Sequence, residues 1–90
     1  MSVKETVERI SKLLKDEGFD IYVSDEEGII LKAHKNDLKI DITFDFEEKF
    51  LNRLLVSSSN RPGVTILKCD APEKVENCIK KLTHLLSKLR

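Results

Sequence analysis

Tryptophan and glutamine are absent from this 90-residue chain, asparagine occurs four times, and there are only one tyrosine, two cysteines, two prolines and three glycines. Each scarcity excludes something. Uncharged apolar runs such as Gly28-Ile29-Ile30-Leu31 stop far short of the ~20 residues a membrane-spanning helix needs. The three glycines, at 18, 28 and 63, are too dispersed for a phosphate-binding loop. With 16 basic and 16 acidic residues there is no cationic excess to drive indiscriminate binding to nucleic acid. A chain this short makes one domain, spanning 1–90, and buries only roughly 60–68% of its unfolded surface, which leaves little room for a large enzyme cleft.

Charge is what the chain has in abundance: 36% of residues are ionic against 40% hydrophobic. High charge with few thermolabile amides is a thermophile-like composition. The charges are blocked. Residues 16–27 carry six acids and no base, and Asp41, Asp45, Glu47 and Glu48 follow; Lys49, Arg53, Arg61 and Lys68, then Lys80, Lys81, Lys88 and Arg90, oppose them. The first residues, Met1-Ser2-Val3-Lys4-Glu5, lack the apolar segment of a secretory signal, so a cytoplasmic location is expected.

Hydrophobic periodicity defines two helices around a set of strands. Ser2-Val3-Lys4-Glu5 matches a capping box, Val3, Val7, Ile10, Leu13 and Leu14 share one face, and Gly18 stops the helix with Phe19 placed to contact Leu14. Asp70-Ala71-Pro72-Glu73 opens the last helix, whose stripe is Val75, Cys78, Leu82, Leu85 and Leu89, widened by Ile79 and Leu86. Between them the period falls to two. Phe19, Ile21 and Val23, then Ile29, Leu31 and Ala33, then Leu38, Ile40, Ile42, Phe44 and Phe46 each define a dry face.

Parity of these faces predicts an Asn36-Asp37 two-residue turn with Lys32 opposite Asp41, and an odd Glu26-Glu27-Gly28 turn before it. Segment 46–57 is either a short helix bearing Phe46, Phe50 and Leu54, or a tight turn and a fourth strand. The unbroken alternation through Phe46 favours the strand, with Phe50, Leu54 and Val56 inward. Val64 to Cys69 supplies the last strand. The expected fold is an α+β two-layer sandwich: an antiparallel four- or five-stranded meander with N- and C-terminal helices packed on one face.

No side-chain cluster points to catalysis. If the last helix starts near Ala71, Cys78 lies about 12 Å from Cys69 along its axis, beyond disulfide reach, so no internal bridge is expected. The cysteine spacing does not match a zinc site, and His34 and His84 have no second ligand nearby in sequence. Neither Ser57-Ser58-Ser59 nor the cysteines have an identifiable base. Asp41 and Asp45 share the outer face of strand three but sit about 13 Å apart and read as ion-pair partners of Lys32 and Arg53. No catalytic, cofactor-binding or metal-ligating residue is assigned, and no cofactor is expected.

What stands out is apolar surface on the outer side of the sheet: Ile30, Leu51 and Leu55, with Tyr22 beside them, form a candidate interface. The wide stripe of the last helix is a second candidate for pairing with a copy of itself. The leading expectation is a non-enzymatic interaction domain that forms a homodimer and binds another macromolecule of unspecified kind. The alternative is a small DNA- or RNA-binding protein in which Lys49, Arg53, Arg61, Lys68 and the basic last helix converge; Tyr22 would be its only outward aromatic. A third class is a ligand-binding or enzymatic module completed at a dimer interface.

Overall fold

The computed structural model describes residues 3–26, 28–48, 50–69 and 75–89. Its elements run α1 (Val3–Asp16), β1 (Asp20–Ser24), β2 (Ile29–Lys35), β3 (Leu38–Glu47), β4 (Phe50–Ser58), β5 (Arg61–Lys68) and α2 (Val75–Leu89). The five strands form one antiparallel sheet in the order β1-β2-β3-β4-β5. This is the expected meander between two helices, in its five-stranded form. Ser2, Glu27, Lys49 and the Asp70–Glu73 cap lie outside the described residues, so the two predicted N-terminal caps cannot be followed in full.

Local chemistry accounts for the joins. Gly18 adopts φ +93°, and Phe19 donates its amide to Leu14 O at 3.0 Å, closing α1 as a left-handed C-cap. The Lys35 ammonium donates to Glu17 O at 2.9 Å, placing a cation on the negative end of the helix. Lys35 pairs with Leu38 around Asn36-Asp37, with Asn36 at φ 56°, as a primed two-residue turn requires. Lys32 faces Asp41, and Ser24 faces Ile30 across the acidic first turn, so both predicted registers hold.

Both helices cover the same face of the sheet. Ile10 and Leu14 of α1, Leu31, Ile40, Ile42 and Leu54 of the sheet, and Cys78 and Leu82 of α2 have no exposed surface and meet in one core. Outside that core the helices are tied by the Arg9 guanidinium, which forks onto both oxygens of Glu76. This pairing holds the Glu76 carboxyl below its ordinary range and raises the Arg9 guanidinium. Val23 keeps the inward parity of its strand but is 42% exposed, because it lies on the edge strand where the helix layer ends.

Three expectations need correction. First, strand β4 is displaced by a bulge: Asp45 pairs with Arg53 but Phe46 pairs with Leu51, which leaves Asn52 without a partner on β3. One extra residue reverses the faces beyond it. Leu51 is therefore buried in the core at 2% exposure, and Phe50, expected inside, is 48% exposed. Second, α2 has no spare apolar stripe: Cys78, Ile79, Leu82, Leu86 and Leu89 are buried and Leu85 is packed against the core. Third, Cys69 and Cys78 form a disulfide, with Cα atoms 5.4 Å apart. The expected distance counted a helix starting near Ala71, whereas α2 runs Val75–Leu89 and has Cys78 in its first turn. The helix instead lies back across the end of β5, and Cys78, in the first turn described, returns over Cys69.

These corrections are measurable. Leu51→Ala is expected to cost about 3 kcal/mol in denaturant unfolding, as a buried leucine does, whereas Leu55→Ala costs less than about 1.5 kcal/mol. Equal costs would mean that the bulge is misplaced. Thiol titration of the unfolded, unreduced protein should find no free cysteine, and reduction should lower stability by about 3 kcal/mol, the chain-entropy value for a ring of this size.

Candidate functional site

The meander has two faces and the helices occupy one, so the other is open, and cross-strand pairing orders it into rows. The central row runs Ser24, Ile30, Thr43, Leu55, Ile66 across all five strands. Ile30, Thr43 and Leu55 are half-buried by their neighbours, and Ile66 on the edge strand is 50% exposed. Four successive positions thus present aliphatic or methyl surface without a helix to cover it.

Polar rows flank this stripe. On one side Tyr22, Lys32, Asp41 and Ser57 follow one another, then Asp20, His34 and Lys39. Together these two rows line a shallow trough of about 730 Å³. Lys32 stands opposite Asp41 in it, and His34 Nε2 is 3.4 Å from Asp20 Oδ2. On the other side lie Asp45, Arg53 and Lys68, with Arg53 Nε donating to Asp45 Oδ2 at 2.6 Å. All of these groups are exposed or partly exposed, so they give register and wettability more than energy.

Two of the hydroxyls beside the trough are engaged locally: Ser58 Oγ donates to Asn60 Oδ1 at 2.8 Å and Ser59 Oγ to Asp37 O at 3.3 Å. His34 Nε2 lies beside the Asp20 carboxylate, and the two cysteines are joined in the disulfide. Among the described residues, no three His, Cys, Asp or Glu side chains cluster as metal ligands would.

Of the four residues first placed at an interface, three share the open face: Ile30 and Leu55 in the central row and Tyr22, 65% exposed, in the next. Leu51 does not. Sequence reasoning missed Ile66 and Val64 because their relevance rests on the β4–β5 register, for which no turn signal fixes the parity; Thr43, already on the outer parity of β3 between Ile30 and Leu55, was passed over as a polar residue. The basic set is divided. Arg53 and Lys68 face each other on the open side, whereas Arg61 stands at the far end of β5 and donates to Lys88 O at 3.3 Å; Asn60 donates to Leu89 O at 2.7 Å. Arg61 thus caps the carbonyl end of α2 rather than joining a shared patch. Lys49 lies outside the described residues. No described helix is long and apolar enough to cross a membrane. The chain matches no known protein family, no curated protein and no solved structure.

Proposed function

We propose that this protein is a non-enzymatic interaction domain that self-associates and presents the open face of its sheet to another macromolecule. The observation that carries the reading is the uncovered row Ile30-Thr43-Leu55-Ile66, which spans four strands and is bordered on both sides by paired charges. An aliphatic stripe with a polar, solvated rim has the anatomy of a recognition surface, and a free monomer gains nothing by wetting it. The bordering ion pairs favour a defined approach over tight binding. The setting we infer is the cytoplasm of a thermophile, and the internal Cys69–Cys78 disulfide fits the hyperthermophile end of that range, where intracellular proteins are disulfide-rich.

Sedimentation across a concentration series should show the mass rising above that of a 10.3 kDa monomer. A strict monomer at high micromolar concentration sinks the self-association half of the reading. Leu55→Glu should leave the melting temperature within a few degrees yet remove binding of an environment-sensitive apolar dye, because the side chain projects from a surface. Phe50, exposed at the start of β4 opposite Glu47, gives nucleic acid one stacking aromatic more than the sequence suggested. Salt-dependent binding of single-stranded RNA or DNA that is lost in Phe50→Ala would replace the protein-interaction reading.

A further inference from the structure

We infer that self-association occurs through the free edge of β5, where a second copy of the chain pairs antiparallel about Ile66 to make one continuous ten-stranded sheet. This rests on the self-association reading and specifies its surface. Half of the backbone groups of β5 are already used by β4. Cys69 donates its amide to Asn52 O at 2.7 Å, so these two form a hydrogen-bonded pair, and in an antiparallel ladder such pairs alternate. Continued along the register Leu54-Leu67 and Val56-Thr65, this means that Leu67 and Thr65 spend their N–H and C=O groups on β4. Val64, Ile66 and Lys68 turn theirs to the free edge.

That edge is unguarded. Six successive residues, Arg61 to Ile66, are exposed, and no charge lies between Arg61 and Lys68. Natural edges are normally blunted by charge, brevity or proline. Among the described residues the devices here are Pro62 and the bulge beside it, where the β4–β5 register shifts between Val56 and Ser58 and Gly63 adopts φ +84°, both near one end and short of the Thr65–Lys68 stretch. Strand β1, at the other edge, is five residues long and is bounded by Asp20 and, just beyond Ser24, by Asp25 and Glu26.

Pro62 also selects the register, because it lacks an N–H and, with the bulge beside it, ends the stretch of β5 that can pair regularly. Pairing about Thr65 would set Lys68 against the second copy's Pro62, and pairing about Val64 would set Ile66 against it. Pairing about Ile66 avoids both. Ile66 then meets its own counterpart and Val64 meets Lys68 twice over, giving three hydrogen-bonded pairs that each exchange two bonds. Side chains agree with this register. The central row becomes Ile30-Thr43-Leu55-Ile66 continued in reverse through the second copy, the lysine stem covers Val64, which is 59% exposed in the single chain, and Leu67 covers the exposed Thr65 on the helix side. The partner that fits the edge is this chain itself, closed by a two-fold axis.

One opposing force is visible. The groove beside Leu67 is lined by Lys80, Lys81, His84 and Lys88 of α2, and two such basic flanks approach each other across the axis. Added salt should therefore tighten the association, the reverse of what docking through ion-paired sheet faces would give.

Hydrogen exchange resolved by residue, combined with sedimentation, tests the assignment. As the mass doubles with concentration, the amides of Val64, Ile66 and Lys68 should pass from fast exchange to protection, while those of Thr65 and Leu67 are protected throughout. Ile66→Pro removes an N–H that β4 does not use and should raise the dimer dissociation constant about thirtyfold, from two lost hydrogen bonds across the axis. Ile66→Lys, which keeps the backbone intact and sets like charges face to face, should weaken the dimer in the same direction. A dimer in which the three edge amides exchange as fast as in the monomer, or one indifferent to both variants, overturns the edge assignment and leaves self-association standing. A monomer at every concentration overturns both.

Discussion

Two helices of 14 and 15 residues can cover one face of a five-stranded sheet and no more, and most of this molecule follows from that limit. Because the pleat sends alternate side chains to opposite sides, every strand has to divide its residues between a dry layer and an open one. The dry layer is conventional: aliphatic residues of α1, α2 and the inner sheet face, with the Cys69–Cys78 bridge inside it. The open layer cannot be made wholly polar without losing the β-branched and aliphatic residues that favour extended backbone. The compromise is a single apolar row with charges confined to its sides.

The extra residue at Asn52 shows how finely that division is set. Without it, Leu51 would face solvent and Phe50 would face the core. The bulge exchanges them, so that the smaller side chain goes inside, close to the stacked rings of Phe44 and Phe46, whose centroids are 6.1 Å apart, and the larger goes out. It also leaves Asn52 O to receive the amide of Cys69, which fixes the phase of the β4–β5 ladder and hence which amides of β5 look outward.

Elements dominated by local signals were legible in the sequence. Gly18 with Phe19, Asn36-Asp37, and the alternation of the first three strands each encode their geometry within a few neighbouring residues. The features that escaped are those settled by long-range packing. A bulge leaves no signature when both residues it exchanges are apolar, as Phe50 and Leu51 are. A bridge between Cys69 and Cys78 depends on the direction in which α2 departs, which spacing along a straight axis does not contain. Arg61 looked like a ligand-binding cation because its role as a cap needs the last turn of α2, 27 residues away, to arrive beside it. The open face was partly legible: Ile30, Leu55 and Tyr22 follow from parity, whereas Ile66 needed the last pairing to be known.

The disulfide carries a topological consequence. With Cys69 just past the end of β5 and Cys78 within α2, the intervening chain closes a covalent ring, and the polypeptide beyond that ring is attached to the sheet by two routes. A protease that cut once between the two cysteines would leave the C-terminal helix bound to the body of the protein, its leucines still seated on the inner face. The nick would show only after reduction, as two fragments from a chain that had travelled as one.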